Sequence, residues 1–201
     1  MTTYCQYLRE HPEDDLNKTY HDNEYGFPLV DDAALLERLA LEINQAGLSW
    51  SLILKRKDNF RRAFDGFDVD TIAAYGEADA ARLLADAGII RNRLKVKAVI
   101  ENACRIQGLR ADFGSFKGWL DKHHPLAREE WTVLFKQTFV FTGGEIVNEF
   151  LVSTGYLPGA HDVDCPIYWQ VAKLQPAWTK GLRKAVLRGT KMKKRSSQAI
   201  K

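Results

Sequence analysis

Two apolar stripes of helical period flank the stretch Glu42-Ile43-Asn44-Gln45-Ala46-Gly47-Leu48-Ser49-Trp50, and this arrangement restricts the possible folds more than any other feature of the chain. Upstream, Leu35, Leu36, Leu39, Ala40 and Ile43 fall on one helical face behind a capping Asp31 or Asp32. Downstream, Ser49 can cap a second segment that places Trp50, Ile53, Leu54, Phe60 and Phe64 on one face. Between them Gly47 supplies backbone freedom at the tip. Glu42 sits near the end of the first segment, where the negative pole of the helix dipole disfavours a carboxylate. Either it is a solvated surface side chain, or a ligand or a neighbouring donor holds it.

The helical period returns along the rest of the chain, which shows no alternating strand pattern and no repeat, so the expected class is all-α. Residues 1–30 read as irregular but rich in potential ligands. The two flanking helices end at Asp65-Gly66, Asp68 caps a short helix that stops at Gly76, and another covers residues 79–86. A longer helix spans residues 92–107, with Val96, Val99, Ile100, Ala103 and Ile106 on its apolar face and Gly108 as its terminator. Ser115 caps a segment carrying Phe116, Trp119 and Leu120, and Pro125 breaks the chain. Phe139, Val140 and Phe141 fit either a short strand or a buried turn. Gly143-Gly144 opens a last helical pattern with Ile146, Val147, Phe150 and Leu151, closed by Gly155.

At 201 residues the chain suits one domain, residues 1–165, with a basic extension, residues 166–201, expected to be partly helical and then disordered. That extension holds ten Lys or Arg and no Asp or Glu, which leaves 19 basic against 26 acidic residues before it. A basic end on a mildly acidic body suits a polyanion such as nucleic acid, or a solubilising tail. No apolar run reaches membrane-spanning length and no signal-like segment follows Met1, so a soluble, cytoplasmic protein without membrane contact is expected. Cys5, Cys104 and Cys165 are too few and too scattered for a disulfide framework.

Three constellations carry chemistry. The stretch Leu83-Leu84-Ala85-Asp86-Ala87-Gly88-Ile89-Ile90-Arg91 joins two helices through a short turn, followed by Arg91, Arg93, Lys95 and Lys97. Backbone N–H groups at such a turn can hold a phosphate, and the stretch resembles a helix-hairpin-helix DNA-binding element; the alternative is an αα-hairpin with a solvated basic face. Cys5 and His21 near the start, with His161 and Cys165 near the end, could form a closed Cys2His2 zinc site tying both ends together; otherwise they are free thiols and satisfied histidines. A catalytic metal would instead need three protein ligands and an open position. Tyr20, Tyr25 and Trp50 could surround Glu42 as a clamp for a flat ring, or pack as core.

Tyr20-His21-Asp22-Asn23-Glu24-Tyr25-Gly26, residues 42–50 and Asp86-Ala87-Gly88-Ile89-Ile90-Arg91 together closely resemble the 3-methyladenine DNA glycosylase I family, over roughly residues 1–108 and again over 144–165. The resemblance implies a helix-hairpin-helix glycosylase fold and one structural zinc on Cys5, His21, His161 and Cys165. It implies Glu42 as the base-recognising and catalytic carboxylate, Tyr20 and Trp50 as stacking partners, Ala46, Gly47 and Leu48 at the gap left by a flipped nucleotide, and Gly88, Arg91 and Arg93 on the DNA backbone. The implied activity is base-excision repair: hydrolysis of the N-glycosidic bond of an alkylated purine, chiefly 3-methyladenine, in double-stranded DNA, by a monomer without a lyase lysine. A non-catalytic DNA-binding protein with structural zinc is the alternative. Tyr25 stands where the family commonly has tryptophan, Tyr7 where it often has tryptophan, and residues 109–140 depart from its usual pattern.

Overall fold

The computed structural model describes residues 2–180, and among the described residues it contains helices and no strand. In chain order these are α1 (Tyr4–Glu10), α2 (Asp15–Asn23), α3 (Asp32–Gln45), α4 (Trp50–Ala63), α5 (Val69–Ala73), α6 (Glu77–Ala85), α7 (Arg93–Phe113), α8 (Phe116–His123), α9 (Arg128–Thr138), α10 (Gly144–Ser153) and α11 (Pro166–Lys173), with a 3₁₀ turn at Asp65–Phe67. No described helix is long and apolar enough to cross a membrane.

Helix α3 is the hub. Asp31 caps it, its carboxylate accepting from Ala34 N at 2.8 Å. Every residue from Leu35 to Asn44 is buried, and the helix packs against α4, α5, α7, α8 and α10. A helix surrounded on all sides needs no polar face, yet this one buries Glu37, Arg38, Glu42 and Asn44. Burying a Leu or Ile contributes about 1.5–3 kcal/mol. Leu35, Leu36, Leu39 and Ile43, all at 0% exposure, offset part of the cost of the buried charges, and the pairing of Glu37 with Arg61 at 2.7 Å offsets more.

Three expectations need correction. Residues 1–30 are not irregular: Thr3 and Asp14 accept from Gln6 N and Asn17 N, both at 3.1 Å, and start α1 and α2. Gly108 does not end α7, which continues to Phe113 and stops at Gly114, at φ 75°. A mid-helix glycine costs about 1 kcal/mol. Here Leu109 and Phe113 pack on the core and Arg110 bonds Asp32 at 3.0 Å and Asp70 at 2.8 Å. Phe139, Val140 and Phe141 form a bend that is neither a strand nor wholly buried: Phe139 is buried, Val140 half-buried and Phe141 39% exposed. Its backbone is satisfied by a side chain, since the fully buried Asn102 donates to Val140 O at 3.1 Å and accepts from Val140 N at 2.9 Å.

Helix α11 packs onto the body: Val171 is buried, and Trp178 N donates to Gly155 O at 3.2 Å. The remainder of the basic extension, residues 181–201, lies outside the described residues.

Candidate base-binding pocket and metal cluster

The end of α3, the start of α4, and helices α1, α2 and α10 enclose a cavity of about 690 Å³. Such a volume suits one small aromatic ligand. Tyr20 and Trp50 line it with ring centroids 5.1 Å apart, and Tyr25 lies 5.8 Å from Tyr20. Trp50 is the first residue of α4 and is placed there by the Ser49 cap, whose hydroxyl accepts from Leu52 N at 3.3 Å. Behind the pocket Arg38 stacks 5.0 Å over the Tyr20 ring and donates to Ser153 O at 3.2 Å. The Tyr20 hydroxyl is buried and has no hydrogen-bond partner.

Glu42 also lines this cavity and is only 5% exposed, so the solvated-surface reading is overturned. Burial pushes its carboxyl up to about 8; Arg38 pulls in the opposite direction and Glu149 adds to the rise. Burial likewise holds the Tyr20 phenol well above its ordinary value. Burial thus favours the protonated form of Glu42, and a cation entering the pocket favours the carboxylate.

One residue beyond Tyr20, on the same helix, the wall turns into a second buried cluster. Cys5 of α1, His21 of α2, and His161 and Cys165 of the loop leading into α11 bring their donor atoms within 4.8 Å of one another. His21 Nε2 lies 3.2 Å from Cys5 Sγ and 3.0 Å from His161 Nδ1; Cys165 Sγ lies 4.0 Å from each of the two histidine nitrogens. Zinc bonds of ~2.0–2.3 Å place tetrahedral donors ~3.3–3.8 Å apart, so the set fits that ion. The outer atoms fit too. His21 Nδ1 meets Asp22 Oδ1 at 2.7 Å and His161 Nε2 meets Tyr25 O at 2.7 Å, which leaves the opposite nitrogens to face the cluster. Asp162 N donates to Cys5 Sγ at 3.3 Å. Burial pushes the Cys5 thiol up to about 12 and pulls His161 down. A divalent cation would reverse the thiol shift, because one dication and two thiolates sum to zero. All four donors come from protein side chains, which is the composition of a closed structural site.

The expected DNA-facing residues split into two turns. Gly47 is exposed at φ 80° with nothing within 4 Å of where a Cβ would sit, and Ala46 and Leu48 beside it are half-buried. Gly88 is crowded: a Cβ there would lie 2.9 Å from Asp86 Oδ1 and 3.3 Å from Asn59. Its N–H donates to Asp86 Oδ1 at 2.7 Å, and Arg56 takes the carbonyls of Ala87 and Ile89 at 2.7 and 3.2 Å. Of the four basic residues that follow, Arg91, Arg93 and Lys97 are exposed, whereas Lys95 is buried. Lys95 Nζ donates to Asn44 O at 2.8 Å and Ala46 O at 2.7 Å, fastening the hairpin helix to the Gly47 turn.

Arg38, Lys95 and Glu149 were not anticipated. Arg38 precedes Glu42 by one helical turn, a spacing that reveals it. Lys95 was read as one more surface charge, and Glu149 is far from Glu42 in sequence with no local signal.

Against known proteins, the family model described as methyladenine glycosylase matches residues 10–132. The chain is similar to DNA-3-methyladenine glycosylase 1 of Escherichia coli (strain K12), at 36% identity over 175 residues, covering 78% of this chain and 93% of the relative. It is also 31% identical to the DNA-3-methyladenine glycosylase of Haemophilus influenzae, covering 83% of this chain and 98% of that protein. Among solved structures, a Staphylococcus aureus 3-methyladenine DNA glycosylase I studied for 3-methyladenine recognition superposes with a TM-score of 0.71 at 30% identity, covering 77% of this chain and 92% of the other. The helical fold around this pocket and the extent of these matches lead to one conclusion: the chain belongs to the DNA-3-methyladenine glycosylase I family.

Proposed function

We propose that this protein hydrolyses the N-glycosidic bond of 3-methyladenine and related alkylated purines in double-stranded DNA, leaving an abasic site. The observation that carries the reading is a buried carboxyl, Glu42, set in an aromatic cavity beside an unpartnered Tyr20 hydroxyl. The named relatives and the match of the family model support it. A module that only gripped phosphates would have no use for either group.

The chemistry follows from the base. Adenine methylated at N3 carries positive charge, so its glycosidic bond is already weakened and the leaving group needs little help from an acid. A flipped base packs against Trp50 and Tyr20, whose rings touch each other with centroids 5.1 Å apart and whose faces attract a cation. Burial favours the protonated form of Glu42, whereas a cationic ring favours its carboxylate; the proton passes to solvent and the carboxylate accepts hydrogen bonds from the ring. A neutral adenine can hydrogen-bond the protonated carboxyl but gains no charge–charge attraction from it. Water then attacks C1′ of the sugar.

The exposed Gly47 turn would enter the space vacated by the base, and the exposed Arg91 and Arg93 would meet phosphates beside the hairpin. Gly88 serves this arrangement by allowing Asp86 and Asn59 to pack against the turn. Cys5, His21, His161 and Cys165 would hold a zinc ion, which would supply structural closure between the two ends of the domain. The deciding experiment incubates the protein with methylated duplex DNA and chromatographs the released bases. Free 3-methyladenine with matching abasic sites is expected; no released base overturns the reading.

A further inference from the structure

The base pocket is electrostatically one-sided. Glu10, Glu42 and Glu149 line it, and among the described residues no Lys, Arg or His does. Glu10 is exposed and bonded to Gln6 at 3.0 Å, and Glu42 belongs to the recognition already described. Glu149 remains. It is half-buried on α10 and both its oxygens are fixed: Oε2 accepts from the Tyr25 hydroxyl at 3.1 Å and Oε1 from Asn148 Nδ2 at 3.1 Å.

Tyr25 is itself held firmly. Its carbonyl accepts from His161 Nε2 at 2.7 Å, and its ring packs edge-on against Tyr4 at 5.3 Å and His161 at 5.9 Å. Its phenol brings a hydroxyl to Glu149. The negative charge of Glu149 is one of the influences that favour the protonated form of Glu42, with Arg38 behind the Tyr20 ring acting in the opposite direction. A positively charged ring in the pocket is attracted by both carboxyl groups in their charged forms; a neutral ring of the same shape is not. An alternative purpose for Glu149, bracing Tyr25, would need only an acceptor and not a charge.

We propose that Glu149 is a specificity-determining residue of the pocket, its fixed carboxylate acting with Glu42 to select positively charged alkylated purines over neutral ones. This rests on the glycosylase reading for its biological meaning, but its test does not. The probes are 3,9-dimethyladeninium, which is permanently cationic, and neutral 9-methyladenine, each titrated into the full chain and followed by tryptophan fluorescence.

The wild-type protein should prefer the cation by about tenfold or more, the equivalent of ~1.4 kcal/mol of Coulomb attraction. Glu149→Gln keeps an acceptor for Tyr25 and removes the charge, so the preference should fall about tenfold. Glu149→Asp, which keeps the charge, should retain most of it and guards against a folding artefact. Equal preference in wild type and Glu149→Gln overturns the proposal, as does a wild-type pocket that does not prefer the cation. Release of 3-methyladenine from methylated DNA by the same wild-type sample is scored separately. Cation preference without release would uphold Glu149 and overturn the glycosylase reading instead.

Discussion

Tyr20 and His21 are neighbours on α2, yet they belong to two buried polar clusters built on opposite terms. Around His21 the polar atoms close on one another. Each histidine has one ring nitrogen bonded outward and one turned to the cluster, and Cys5 receives a backbone N–H. Around Tyr20 they do not close: its hydroxyl has no partner, and Glu42 is held up at about 8 by burial. Buried polar groups are nearly always satisfied; among the described residues the Tyr20 hydroxyl and Trp131 Nε1 are not, and of these two the Tyr20 hydroxyl lies at the pocket. The closed cluster serves the fold, and the open one serves a ligand.

The largest expected effect falls on the closed side. Structural zinc in small domains contributes about 10–16 kcal/mol of apparent binding free energy, comparable to the whole stability of a domain, about 5–15 kcal/mol. Cys165→Ser should therefore lose metal and cooperative melting together, while elemental analysis of the wild type gives about one zinc per chain. Full metal content in the mutant, with unchanged melting, breaks the comparison at its first half.

On the open side, Glu42→Gln should slow single-turnover release of 3-methyladenine by roughly 10- to 100-fold, since a hydrogen bond to a charged group is worth about 1.5–3 kcal/mol. Affinity for undamaged duplex should stay unchanged, because phosphate contacts lie elsewhere. The same substitution should alter stability against pH in a defined direction. A carboxyl raised from 4.5 to about 8 binds its proton more tightly in the folded chain. Its stabilising contribution is complete below about 4.5, declines as pH rises, and is lost above about 8. Melting of wild type against Glu42→Gln between pH 5 and pH 9 should show this decline only in the wild type. Parallel curves would mean that Glu42 is ionised in the empty pocket.

The contrast between the clusters also explains what could be read from sequence. The convergence of Cys5, His21, His161 and Cys165 is legible through the family resemblance, which implies all four together, and the fold brings them into one buried cluster. The apolar face of α3 was legible from its period, and all five of its residues are buried. The burial of Glu42 was not, because α3 is enclosed on every side and period alone marks only one. Helices α1 and α2 were missed because they are short and polar, held by caps and by the two clusters rather than by an apolar stripe. Gly108 was a misleading stop, overridden by packing at Leu109 and Phe113. Glu149 had no local signal; only the fold brings α10 to the cavity.

The smallest effect discriminates most finely between the two clusters. Tyr20→Phe removes a buried hydroxyl that has no partner. Leaving such a group unsatisfied costs about 1–3 kcal/mol, so its removal should leave melting unchanged or raise it slightly. The ring that Arg38 stacks against at 5.0 Å is retained. Base release should nevertheless fall by roughly tenfold, the effect of losing one hydrogen bond of about 1.4 kcal/mol in the transition state. Stability and activity then move in opposite directions, the behaviour of a group kept for a ligand at some expense to the fold. A drop in melting would mean that the hydroxyl already has a partner inside the protein, such as a buried water, and the pocket would be closed like its neighbour. Wild-type release in a more stable protein would make the hydroxyl an orphan without a ligand role, leaving recognition to the carboxylates and ring faces.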